Sequence, residues 1–252
     1  MFAIPYHMEL IDTLFEELNI TKGLTNVSTE SAIDPWDFKV VFDMESLNIT
    51  LRSLQAGDET HLLRFGEYLS AKSKELFCPY PWNDRSELQK SIKQAVDNCL
   101  QKTDASYLAI VDDKPAGHFF LWKAGGNPHS KQYYLDIPEL GIGLADAYHG
   151  KGLGSIFMKT LNCIAKSLDK DAIELTTAMT NDAGFSLYQR EGYIYTGVIR
   201  NPLEVDVTRA ISGEVSATKY REERQMVLVL KEDKTTEIMQ YLRLKREDMQ
   251  KN

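Results

Sequence analysis

The stretch from Pro138 to Leu168 constrains this chain more than any other, because it reads as a strand, a tight turn and a helix in direct succession. Leu140, Ile142 and Leu144 alternate with Glu139, Gly141 and Gly143, which is strand period. Gly150, Gly152 and Gly154 follow at every second position. Leu153, Ile156, Phe157, Thr160, Leu161, Ile164 and Leu168 then fall on one face of an amphipathic helix. A glycine turn feeding a helix N-terminus points several unpaired N–H groups, and the positive end of the helix dipole, at one spot. A phosphate group binds there with no charged side chain required. The same glycines also suit a plainer role, close packing of strand against helix.

Two common phosphate patterns do not fit. In the Walker pattern, Ala145 stands where the first glycine belongs and Gly152 where a hydroxyl residue would hold magnesium. The dinucleotide pattern G-x-G-x-x-G fails on spacing. What fits is [Q/R]-x-x-G-x-[G/A], on His149, Gly152 and Gly154, with His149 in place of the usual Gln or Arg. This resembles the pyrophosphate motif of the GNAT family of N-acetyltransferases. A second motif of that family, N-x-x-[AG]-x-x-[FL]-Y-x-x-x-G-[FY], is present on Asn181, Gly184, Leu187, Tyr188, Gly192 and Tyr193. Both occur in the family's order with a strand between them, so the glycine turn is read as a cofactor site.

The resemblance implies an α/β fold, a mixed and mostly antiparallel sheet flanked by helices, with acetyl-CoA as co-substrate and an amine as acceptor. Two parallel strands would splay and admit the pantetheine arm, here Glu139–Ala145 and Ala172–Thr177. Leu144 and Ala145 fall at the family's bulge and would contact the arm through backbone. The turn formed by His149, Gly150, Lys151, Gly152, Leu153, Gly154 and Ser155 would take the pyrophosphate, chiefly on the amides of Gly150, Gly152, Gly154 and Ser155. Asn181 is a helix cap by residue type and, by resemblance, a cofactor contact. Tyr188 occupies the family's position for protonating the leaving sulfur. Its ordinary pKa near 10 keeps a phenol protonated at neutral pH. Glu139 is the first choice for general base, ahead of Glu174, His118 and Asp136. The acceptor site is expected from residues 73–83, with Phe77, Tyr80 and Trp82 as an aromatic wall, and from 201–224. The same motifs also suit a CoA-binding module without turnover, or a transferase of another acyl group.

Composition narrows the rest. A chain of 252 residues with 43% hydrophobic residues can bury a full core. Its net charge of −8 argues against non-specific nucleic-acid or anionic-membrane binding and suits an amine substrate. Cys78, Cys99 and Cys163 include no C-x-x-C pair, so no metal is expected. No secretory pattern and no apolar run near roughly 20 residues is found, so the expected compartment is the cytoplasm.

Residues 1–45 are read as an N-terminal extension of helix (7–19), polar loop (20–34) and strand, 46–231 as the transferase domain, and 232–252 as a charged C-terminal helix. Within the domain, a helix is expected over 58–71 and a proline-held, non-helical link over 73–83. Asp84 or Ser86 caps the next helix. Strands are expected at 107–111, 118–123, 173–177, 193–200 and 225–230. The charged segment 201–224 shows no strong pattern. Ile238, Met239, Leu242 and Leu244 make a narrow stripe, so the last helix docks on the body or on a second copy of the chain.

Overall fold

A computed structural model describes residues 23–29, 34–125, 134–205 and 217–251, together with Glu16; of residues 202–205, 217–219 and 251 it describes the backbone alone. The expected helix at 7–19 otherwise lies outside the described residues. The strands are β1 (Leu24–Thr29), β2 (Lys39–Met44), β3 (Leu47–Ser53), β4 (Ala105–Val111), β5 (Lys114–Trp122), β6 (Glu139–Leu144), β7 (Ala172–Ala178), β8 (Ile194–Val205) and β9 (Ala217–Val229). They form one sheet in the order β1-β2-β3-β4-β5-β6-β7-β9-β8. Every neighbouring pair is antiparallel except β6 and β7. The expected mixed, mostly antiparallel sheet is therefore present.

Helices cover both faces. On one lie α1 (Glu59–Glu67), α2 (Ala71–Leu76), α3 (Arg85–Leu100) and α6 (Thr235–Lys251); on the other lie α4 (Leu153–Ser167) and α5 (Asp182–Arg190). Phe157, Leu161 and Ile164 of α4 bury against Phe119, Leu121, Tyr107 and Leu51 of the sheet. Phe119 and Phe157 stack with ring centroids 4.4 Å apart. Leu62 of α1 and Ile92, Val96 and Cys99 of α3 pack on Leu54 and Leu108. Strands β1 and β2 continue the same sheet, and Phe38, Val40 and Phe42 share the core of Ile49 and Leu51. Among the described residues no helix is long and apolar enough to cross a membrane.

Several elements differ from the sequence expectation. Residues 24–29, read as loop, form edge strand β1; its polar side chains alternate poorly and Asn26 sits at φ 54° beside a register shift. The single helix expected over 58–71 is two. Ser70 accepts from the Ser73 amide at 3.2 Å and starts α2, so the link 73–83 opens helical and turns extended at Phe77, ahead of Pro79. Asp84, not Ser86, caps α3, accepting from the amides of Ser86 and Glu87 at 2.9 and 3.0 Å. Strands β8 and β9 reach much further into 201–224 than expected, to Val205 and back from Ala217. The terminal helix docks on its own chain: Ile238 and Leu242 are fully buried against Leu135, Ile137, Ala172 and Val227.

His118 is central to the α1–α3 face. Its Nδ1 lies 3.3 Å from Tyr80 Oη and its Nε2 2.9 Å from Ser106 Oγ. Full burial pushes its pKa down to about 3, so it stays neutral and ties β5 to the link and to β4. Below pH 6.5 the unfolded chain takes up a proton that the folded His118 refuses, so stability falls as pH drops from 6.5 toward 3. Denaturant melts at pH 7 and pH 5 should show a loss of about 2 kcal/mol from this residue, at about 1.4 kcal/mol per unit. His118→Gln should be less stable at pH 7 and should lack that part of the pH dependence.

Candidate active site

The parallel pair β6–β7 sets the site. It is joined at one register pair, Glu139 with Glu174, and by the Glu174 amide donating to Pro138 O at 3.0 Å. Beyond it the two strands part. β6 stays paired to β5 along its length, and β7 to β9. The gap belongs to a cavity of about 780 Å³ that runs from the glycine turn, past Thr176 and Thr177, to the link after α2.

Glycine at β6 serves close approach here. A Cβ on Gly143 would come within 2.5 Å of the Phe77 ring, and one on Gly141 would collide with Phe120. Phe120 and Trp122 of β5 stack at 4.7 Å and lie across β6 from Gly141 and Glu139. The apolar wall is therefore Phe77, Phe120 and Trp122. Tyr80 and Trp82, expected in that wall, are elsewhere: Tyr80 packs on His118, and Trp82 lies over Gly66 of α1. Sequence pattern alone does not single out Phe120 and Trp122 as lining residues. Their trace in it is the alternation His118-Phe120-Trp122, which lies opposite Gly143, Gly141 and Glu139.

At the other end, Gly150 and Gly152 have φ of 75° and 88°, the left-handed region, and a Cβ on either would meet nothing beyond its own backbone and chain neighbours. These glycines serve backbone direction rather than packing space. Gly152 caps α4, and the amides of Gly152, Leu153 and Gly154 lie where no carbonyl one turn earlier receives them. The Ser155 amide turns back to Gly152 O at 3.1 Å. His149 places its Nε2 2.8 Å from Leu144 O, so its ring braces the turn against the end of β6. Gly154 leaves room for Leu187 of α5, whose Cδ2 stands 3.0 Å from a Cβ built there.

The structure brings nine of the twelve expected site residues to the cavity: Glu139, Leu144, His149, Gly150, Gly152, Gly154, Ser155, Asn181 and Tyr188. Three are not on its surface. Ala145 is buried among Phe65, Phe77 and Phe120, and its amide donates to Ala116 O at 2.7 Å. The Leu153 side chain is wholly in the core. Lys151 lies over the Tyr148 ring at 5.6 Å. Asn181 accepts from the Gly184 amide at 3.1 Å and donates to Thr177 Oγ1 at 2.9 Å, so it ties α5 to β7. Tyr188 is 9% exposed, and burial raises its pKa to about 12.

The floor opposite the aromatic wall is polar. Arg221 pairs with Glu223, and its guanidinium also donates to Glu75 O at 2.7 Å, joining β9 to the end of α2. Asn201 donates to Glu223 and, at 3.2 Å, to Thr176 Oγ1. Glu139 is half-buried; burial raises its pKa, with Lys245 opposing and Glu174 adding to the rise. The other base candidates fall away by geometry. Glu174 is held by Lys245 at 2.5 Å, Asp136 by Lys170 at 2.7 Å, and His118 lies behind the cavity wall.

The sequence profile of the Acetyltransferase (GNAT) family matches residues 70–193, the span from α2 to the end of the second motif. The Bacillus subtilis (strain 168) protein YdgE, described as an uncharacterized N-acetyltransferase, is 27% identical over 122 residues, which are 46% of this chain and 74% of YdgE. The GNAT domain of S. lividans PAT superposes with a TM-score of 0.55 at 16% identity, over 79% of this chain and all of that one. The yncA protein of Salmonella typhimurium, solved with its cofactor acetyl-CoA, superposes with a TM-score of 0.52 at 17% identity, over 73% and 95% of the two chains. Sequence profile, relative and fold agree, and residues 70–193 make up a GNAT acetyltransferase domain.

Replacing Gly152 by alanine should strain α4's first turn by about 1–2 kcal/mol, because φ 88° places a Cβ against the following carbonyl. Denaturant melts of Gly152→Ala should show that loss, and the substitution should also shrink the thermal shift produced by acetyl-CoA.

Proposed function

We propose that this chain transfers an acetyl group from acetyl-CoA to a primary amine by direct attack within a ternary complex. One observation carries the reading. A single cavity is lined by the glycine turn, by residues of the parted strands β6 and β7, and by Tyr188 and Glu139. The donor set suits the cofactor: unpaired helix-start amides for a pyrophosphate, and two parted strand edges for an amide-bearing arm. The acetyl-CoA held by the yncA neighbour supports the same assignment.

In this reading the glycine turn binds and the strand gap orients the thioester, while Phe77, Phe120 and Trp122 keep water from the acceptor side. Glu139, through contact or one water, takes the proton from the amine as its nitrogen bonds the thioester carbon. The carbon–sulfur bond then breaks, and the electron pair leaves on sulfur. Tyr188 donates a hydrogen bond to that sulfur as charge rises on it. With a pKa near 12 the phenol stays protonated at neutral pH. It is a weaker acid than a thiol near 8.5, so it stabilises the leaving thiolate through that hydrogen bond, and the thiolate takes its proton from solvent. The raised Glu139 pKa makes its carboxylate a better base than an exposed one.

Acetyl-CoA at a hundred times its dissociation constant should stabilise the fold by about 2.7 kcal/mol, with no comparable effect from ATP. A panel of a polyamine, an amino sugar, an amino acid and an N-terminal peptide, followed by release of free thiol, tests transfer. Tyr188→Phe should lower kcat at least about 100-fold with acetyl-CoA binding unchanged. Glu139→Gln should remove the acid limb of the kcat/KM profile. Tight acetyl-CoA binding with no acetylated amine across the panel would sink the proposal.

A further inference from the structure

The C-terminal helix contributes to the same site, and this inference rests on reading Glu139 as the base. Helix α6 buries Ile238 and Leu242 on the sheet, and the same face carries on to Lys245. Lys245 Nζ donates to Glu174 Oε1 at 2.5 Å, reaching across 71 positions of the chain. The Glu174 side chain is 4% exposed, and its second oxygen lies 3.5 Å from Gln225 Nε2. Gln225 Oε1 in turn accepts from Arg246 Nη1 of α6 at 2.7 Å. Glu174 is the register partner of Glu139, on the one row where β6 and β7 still pair, so the two side chains leave the sheet on the same face.

We propose that Lys245 is a positioning residue for catalysis: by binding Glu174 it occupies one member of a carboxylate pair, and leaves Glu139 as the member that exchanges a proton with the acceptor. Two adjacent carboxylates in a half-buried site would otherwise share one proton, with no fixed assignment of roles. The arrangement also gives the two carboxyls different partners. Glu174 faces a protein cation, whereas Glu139 lines the cavity beside Trp122.

The groups facing Glu139 come from several elements. Lys245 and Tyr241 belong to α6, Glu174 to β7, Glu223 to β9, and Lys123 follows β5. Glu223 is paired with Arg221, and Lys123 is exposed. Burial works against the charge of Lys245, yet Glu174 and Glu139 outweigh it and raise its pKa, so the ammonium persists at neutral pH. Burial raises the Tyr241 pKa, with Glu174 adding to the rise, so this neighbour is uncharged. Of these groups, Lys245 opposes the rise in Glu139 most, and Glu174 adds most to it after burial.

The test is a carbon-13 titration of glutamate carboxyls in the full-length chain, with Glu139 assigned from the signal lost in Glu139→Gln. Lys245→Met removes the nearby cation and should move the Glu139 midpoint up by about one pH unit or more. Glu174→Gln removes the nearby anion and should move it down. Lys245→Arg keeps the charge and should leave the midpoint within a few tenths of wild type. The opposed directions exclude a purely structural role, and thermal melts of each variant establish that it is folded. The acid limb of kcat/KM, with the best acceptor from the panel above, should shift with the carboxyl midpoint. If the midpoints of the Lys245 and Glu174 variants stay at the wild-type value, the coupling is overturned. If they move while Glu139→Gln keeps its acid limb, the coupling stands but Glu139 is not the base, and the positioning role falls with it.

Discussion

The structure depends on one departure from antiparallel order. β6 and β7 are parallel neighbours, and parallel neighbours need a crossover, which α4 supplies. The start of that crossover has to leave β6 by a tight turn, and the turn is built from glycines at φ 75° and 88°. One topological choice thus puts a helix N-terminus, with its unpaired amides, at the open end of the gap between the two strands. The gap persists because each strand is committed elsewhere: β6 follows β5 from Glu139 to Leu144, and β7 follows β9 from Ala172 to Ala178. The strands meet at one residue pair and diverge.

What fills the two sides of the gap follows from the same rows of the sheet. On the β5 side, alternate positions carry Phe120 and Trp122, and the glycines of β6 allow aromatic rings to lie on the strand itself. On the β9 side, alternate positions carry Glu223 and Gln225 on the face shared with Glu174. Buried carboxylates on a sheet face demand partners, since an isolated charge out of water costs several kcal/mol. The partners come from outside the family's matched span: Arg221 from β9 for Glu223 and Lys245 from α6 for Glu174, while Arg246 of α6 donates to the buried Gln225 amide oxygen. The site is an aromatic wall facing a compensated polar floor, with Glu139 at the seam.

The elements legible in the sequence were those whose causes are local. Leu153 to Leu168 buried its expected face because helical spacing and the preceding turn are properties of adjacent residues. Asn181 caps α5 as its residue type suggested, and Tyr188 follows onto the cavity wall two turns later. The less legible parts were charged. In β9, Arg221, Glu222, Glu223 and Arg224 carry charge on both faces, so strand alternation of apolar and polar residues is invisible even though Glu223 and Gln225 are buried. In α6 the apolar stripe looked narrow because its continuation is Lys245, a cation that faces inward.

The sequence by itself determined the glycine turn, the two flanking elements and the Asn181–Tyr188 helix, because backbone sign and helical period are encoded within a few neighbouring residues. The tertiary structure decided which aromatics line the cavity, which carboxylate is left unpaired among the described residues, and where the last helix places its lysine. Those outcomes depend on register between strands and on charges that lie 71 positions apart in the chain, as Lys245 and Glu174 do. No local pattern records such a pairing; it exists only once the sheet has brought the two together.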